Sequence, residues 1–97
     1  MGENNFERLL APGRIGTLEL RNRIIMCPMG DALAEPDGTV SDRQVAYYGA
    51  RARGGAGLVL MGSVSASYPH GCYDPRQTGA SDDRFNAGLT RIAAEIH

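Results

Sequence analysis

The stretch Cys27-Pro28-Met29-Gly30 joins a thiol, a proline, a thioether and a glycine directly after the apolar residues Ile24-Ile25-Met26. A thiolate is a nucleophile and a metal ligand, whereas a buried free cysteine behaves as a small hydrophobe. On its own the stretch also reads as a strand end followed by an ordinary turn. His70 and Cys72 are metal-ligating types two residues apart, but tetrahedral zinc takes three or four protein ligands and no partner pair stands elsewhere in the chain, so no metal site is expected. The glycines at 54, 55 and 57, with Gly62, superficially suggest a dinucleotide turn. That turn needs the order strand, glycines, helix, and here the cluster precedes an apolar run, which argues against a Rossmann reading. Tyr47 and Tyr48 are expected to divide between core packing and a helix surface, and packing is the first reading for Tyr68 and Tyr73.

These residues need elements to hold them. Residues 14–20 alternate polar and apolar around Gly16-Thr17, which predicts a two-stranded ribbon with a tight turn, amphipathic enough to lie as a lid over apolar ends. Residues 24–27 form a continuous apolar run closed by Pro28, the pattern of a parallel strand buried on both faces. The residues from Met29 to Val40 are rich in turn formers. Ser41 and Gln44 then have capping-box spacing, Val45, Tyr48 and Ala52 make an apolar stripe, and Gly54-Gly55 supplies a stop, so a helix is predicted over 41–53. A second buried strand is predicted at 58–61. After a long loop from Ser63 to Ala80, Ser81, Asp82 and Asp83 can start a second helix over 84–96, with Phe85, Leu89, Ile92 and Ile96 as its core face. The single helix-to-strand connection is short, while both strand-to-helix connections exceed the usual few residues. In an α/β barrel the long loops emerge at the C-terminal face of the strands, where function is built.

With 42% hydrophobic and 22% charged residues, the 97-residue chain has the composition of a globular domain rather than a disordered one. Ten Lys and Arg against eleven Asp and Glu give a net charge of −1, which supplies no general attraction to nucleic acid or to an anionic membrane. Met1 to Phe6 carries no signal or myristoylation pattern and no apolar run reaches the length of a membrane span, so a cytoplasmic location is expected. The two cysteines, Cys27 and Cys72, are too few for a disulfide framework and are read as free thiols. An eight-stranded α/β barrel takes about 250 residues, so this chain does not hold a complete one.

In order along the chain, Pro12-Gly13-Arg14-Ile15-Gly16, Leu18 to Leu20, Arg21-Asn22-Arg23-Ile24-Ile25-Met26-Cys27-Pro28-Met29, Tyr47-Tyr48, Ala50 to Val59, Gln77-Thr78-Gly79 and Ser81 to Phe85 resemble the opening of the old yellow enzyme family. This is the group of NADH:flavin oxidoreductases and 2,4-dienoyl-CoA reductases. The resemblance implies an α/β fold, the N-terminal portion of an FMN-binding TIM barrel, with a hairpin and about two β/α units. It implies that Cys27, Pro28, Met29 and Gly30, at the first strand's exit, lie against the flavin, largely through backbone groups, and that Ser63 touches it from beyond the second strand. Cys27 is then either a flavin-facing thiol or a buried hydrophobe, and Tyr68 or Tyr73 has the reach to approach the substrate side.

By the same resemblance NAD(P)H is the reductant, and hydride passes from reduced FMN to an activated alkene, an enone or another acceptor. No catalytic residue is assigned: the family's carbonyl-gripping pair and tyrosine donor would fall beyond His97. The chain also departs from some relatives, with Gly30 where they have a cysteine and Ala32 where they have a substrate-contacting tyrosine. Two other readings stand beside the first. The chain is a non-catalytic fragment or partial subunit that associates with the remainder of the barrel or with other copies, or it opens a dienoyl-CoA reductase-like enzyme with additional iron-sulfur and FAD domains.

Overall fold

A computed structural model describes residues 6–97. Met1 to Asn5, read above for a targeting signal, lies outside the described residues. A one-turn helix α1 (Glu7–Leu10) leads into a hairpin of β1 (Gly13–Ile15) and β2 (Leu18–Leu20), paired antiparallel with Ile15 opposite Leu18. The two-residue loop left between them, Gly16-Thr17, begins at φ +58°, the positive φ that primed hairpin turns require and glycine adopts without strain.

Next come β3 (Ile25–Met26), α2 (Asp42–Arg53) and β4 (Leu58–Val59). The two strands are adjacent and parallel, Ile25 beside Leu58 and Met26 beside Val59. Backbone bonds from Gly57 N–H to the Ile24 carbonyl (2.9 Å) and from Leu60 N–H to that of Met26 (3.1 Å) extend the ladder at both ends. Both strands are shorter than predicted. The expectation that 24–27 is buried on both faces is corrected: Ile24, Ile25 and Leu60 are 37%, 43% and 42% exposed and Cys27 is exposed. Among the described residues α2 and a later helix pack Met26, Val59 and Met61 into one core with Val40, Tyr48 and Ile92, and no comparable layer covers the strands elsewhere.

Helix α2 begins where its cap predicts. The Gln44 amide N–H donates to Ser41 Oγ at 3.0 Å, and Ser41 Oγ donates onward to the Leu33 carbonyl. The reciprocal half of the capping box is not formed, because the Gln44 side chain turns to Asp31 and Thr78 instead. At the other end Arg51 and Arg53 lie in the last turn and Gly55, at φ +116°, turns the chain away. Arg21 Nη2 donates to the Ala52 carbonyl and Asn22 Nδ2 to that of Gly55, both at 2.6 Å, filling acceptors that a helix end leaves open. Asn22 Oδ1 in turn accepts from Ile24 N–H at 3.0 Å, so the Arg21-Asn22 pair fastens the helix end to the entry of β3.

The segment from Ser63 to Ala80, expected as a loop, contains a further parallel pair, β5 (Val64–Ser65) beside β6 (Thr78–Gly79). Asp82 then caps a 3₁₀ turn over Asp83–Phe85 through Arg84 N–H, and the second helix, α3, runs Asn86–Ile96. The predicted helix over 84–96 therefore opens with one tighter turn. Between the hairpin, β4 and α3 lies an apolar groove of about 740 Å³, where Leu18 and Leu20 face Leu58, Leu89 and Ile96. No helix among the described residues is long and apolar enough to cross a membrane.

Candidate functional site

The connections after β3 and β4 both leave from the C-terminal ends of the strands and meet. Their meeting point is fixed by the missing side chain at Gly62. A Cβ there would fall onto the backbone N, C and O of Met29, so the two strand exits touch main chain to main chain. Beside that contact is a small cleft of about 50 Å³ bounded by Gly30, Asp31 and Ala32 from one exit, Gly62 and Ser63 from the other, and Tyr73, Asp74, Gln77 and Thr78 from the second connection.

Of the five residues singled out by resemblance, Gly30 and Ser63 line this cleft and Met29 meets Gly62 beside it, while Cys27 and Pro28 precede them at the end of β3. Cys27, Pro28, Met29 and Gly30 are all exposed at the exit of β3, and Met29 keeps 52% of its surface open. Cys27 is exposed in this two-stranded portion. Ser63 is half-buried with φ +53°, and Ala32 across the cleft has the same φ, so two residues with side chains adopt the left-handed region at the strand exits. Ser63 Oγ and Tyr73 OH are 2.6 Å apart, and the Tyr73 hydroxyl occupies the space a Cβ on Gly30 would fill. Tyr68 points elsewhere: its hydroxyl donates to the Pro36 carbonyl at 3.1 Å and its ring meets Phe85 edge-on, away from the cleft.

The sequence did not single out Asp31. Its carboxylate accepts from Leu33 N–H at 2.9 Å, from Gln44 Nε2 at 3.1 and 3.2 Å, and from Tyr48 OH at 3.0 Å. Tyr48 in turn accepts from the Gly62 N–H at 3.2 Å, and Gln44 Nε2 also donates to Thr78 Oγ1 at 2.7 Å. Tyr48, Gln44 and Thr78 are almost fully buried. The Tyr48 phenol is pushed up to about 12, mainly by burial, with the Asp31 charge adding and the Gly62 amide opposing. It therefore stays protonated and keeps its donor. The signal available in the sequence was the i, i+4 spacing of Gln44 and Tyr48, two polar-ended side chains on the buried face of one helix.

A profile of the NADH:flavin oxidoreductase / NADH oxidase family matches residues 8–97. The chain belongs to this family. A family member, the NADH oxidase of Thermoanaerobacter brockii, is 45% identical over 93 residues, which are 96% of this chain and 14% of that one. Among solved structures, a 2-naphthoyl-CoA reductase superposes with a TM-score of 0.88 at 28% identity, over 93% of this chain and 14% of its own. Old Yellow Enzyme from Pichia sp. AKU4542 superposes at 0.84 and 26% identity, over 93% of this chain and 23% of its own. The chain thus spans about a seventh to a quarter of these relatives, and its two β/α units have the architecture of part of their barrel.

A family built around a flavin raises the question of whether these residues suit one. They supply two strand exits joined by the Gly62–Met29 contact, an exposed thioether, and hydroxyls at Ser63 and Tyr73. Those fit one wall of a flavin pocket. A cleft of about 50 Å³ does not enclose one, since drug-sized ligands occupy roughly 300–1,000 Å³.

Proposed function

We propose that the full-length protein is an FMN-dependent NAD(P)H oxidoreductase in which Cys27, Pro28, Met29, Gly30 and Ser63 form one wall of the flavin site. The observation that carries this reading is the main-chain contact of Gly62 with Met29, which joins the exits of two adjacent parallel strands into a single surface. Strand exits in α/β barrels hold such surfaces rigidly, and a flavin requires an apolar wall with a few fixed polar groups. FMN, when bound, supplies hydride chemistry that no side chain here provides. The chain's own residues would bind and orient it: the exit backbone and Met29 would lie against it, and Ser63 would present a hydroxyl held by Tyr73. A nicotinamide reductant follows from the family's description. The acceptor is a small molecule, an activated alkene such as an enone or another electron acceptor, and Tyr73 reaches its side of the cleft.

The test is the visible spectrum of the purified full-length protein. A yellow preparation that releases FMN on denaturation is expected, and a colourless one that takes up no FMN refutes the reading.

Two parallel strands do not close a barrel, and Ile24, Ile25 and Leu60 stay exposed on this pair. The proposed activity therefore requires the remaining strands, from the same chain or an associated one. A second reading, an enzyme with further redox domains after its barrel, is favoured by one observation. This chain covers 14% of the NADH oxidase but 23% of Old Yellow Enzyme, so the relative with the higher identity is considerably longer than a protein of the latter size.

A further inference from the structure

The hydrogen bonds around Asp31 connect both strand exits to the helix between them. From one side the path runs Gly62 N–H to Tyr48 OH (3.2 Å) and Tyr48 OH to Asp31 Oδ2 (3.0 Å); from the other, Gln44 Nε2 reaches both Asp31 oxygens and Thr78 Oγ1. Asp31 follows Gly30, Gly62 precedes Ser63, and Thr78 follows Gln77, so each terminus of the network is at or beside a residue of the cleft. We propose that Asp31 is a positioning residue, clamping the Gly30 exit to the Gly62 exit through Tyr48 and so setting the spacing of the wall on which FMN lies. This inference rests on the flavin reading above.

Four features favour a clamp over ordinary packing. Asp31 is engaged by neutral donors, and among the described residues no ion pair reaches it, so its charge is held by directed hydrogen bonds whose geometry fixes the loop. The buried Tyr48 hydroxyl serves both exits, donating to one and accepting from the other. Gln44 gives up the capping-box bond and leaves its own Oε1 buried without a partner while its amide nitrogen bridges Asp31 and Thr78. A buried acceptor left unpaired carries a cost that the bridge has to offset. Ala32, directly after Asp31, and Ser63, directly after Gly62, have positive φ, so the clamp grips the chain immediately beside both left-handed residues.

The experiment compares Tyr48→Phe, Asp31→Asn and the double variant in the full-length protein, with the core substitution Ile92→Val as a control for simple destabilisation. Two measurements are made: the FMN dissociation constant, and the hydrogen-exchange rate of the Gly62 amide in FMN-free protein. Each single variant is expected to weaken FMN binding about tenfold and the double variant no further, because both break one connection. The control lowers the melting temperature yet keeps FMN affinity within about twofold. Variants that bind FMN as the parent does, or single effects that multiply in the double variant, overturn the clamp. Should the parent itself take up no FMN, the flavin reading falls. The Gly62 amide then still judges the clamp: exchange accelerated about tenfold or more in both variants upholds it, and unchanged exchange overturns it.

Discussion

The two ends of the β3–β4 pair are both tied across the strands by polar side chains, but in opposite chemical senses. At the entry end, cationic Arg21 and the Asn22 amide donate to the carbonyls of Ala52 and Gly55, and the one residue there with positive φ is a glycine. At the exit end an anion, Asp31, collects neutral donors, and the positive φ values fall on Ala32 and Ser63, which carry side chains. The entry end is relaxed and its bonds finish a helix. The exit end maintains two disfavoured backbone conformations, at Ala32 and Ser63. One end of the two strands thus completes a helix, while the other holds strained backbone through an anion's hydrogen bonds.

The sharpest way to break this contrast is Gly62→Ala in the full-length protein. The added Cβ meets the Met29 main chain, which cannot move aside as a side chain would, so a loss of about 3 kcal/mol by denaturant titration and the disappearance of bound FMN are expected. At the entry end, Arg21→Ala removes bonds to the Ala52 and Ala56 carbonyls. It should cost about 1.5–2 kcal/mol by the same titration while FMN affinity stays unchanged.

Alkaline pH separates the ends in another way. Tyr48 ionises at about 12 in the folded protein against 10.0 ordinarily, so the fold retains a proton that the unfolded chain gives up. Its contribution is complete below pH 10 and is lost as pH rises from 10 to about 12. Tyr48→Phe should remove that segment of the stability-against-pH curve measured by circular dichroism. Smaller effects come from the backbone. Gly55→Ala, at φ +116°, should destabilise by about 1 kcal/mol, whereas Ser63→Gly, at φ +53°, should stabilise by up to about 1 kcal/mol while loosening Tyr73. Last, Glu95→Gln, which breaks an exposed pair with Arg53, should change stability by less than about 0.5 kcal/mol.

The strand–helix–strand unit was legible because its signals are local: two apolar runs, Ser41 as a cap and Gly54-Gly55 as a stop. Parallel pairing was read from the continuous apolar character of both runs. The pair β5–β6 was not legible, since Val64-Ser65 and Thr78-Gly79 are two residues each and pair across a dozen others, with no period to read. Cys27 to Gly30 and Ser63 were singled out by resemblance, and the contact that joins the two strand exits depends on a missing Cβ at Gly62, visible only in three dimensions. Asp31 escaped because a lone acid in a turn-rich stretch reads as a loop residue, and its partners lie 13 and 17 positions away on a helix.

The little β5–β6 pair acts as a knot at the neck of an excursion. Val64-Ser65 and Thr78-Gly79 hold its two legs together, Ala80 N–H bonds to the Ser65 carbonyl, and Gly79 N–H to that of Gly38. The bight between them is nonetheless moored to the strand exits below: Tyr73 OH meets Ser63 Oγ at 2.6 Å, and Arg76 exchanges bonds with Ala34. A change at Tyr73 is therefore felt at Ser63 and Gly30, on the exits of both parallel strands, while the knot keeps the rest of the excursion's length from tugging on them.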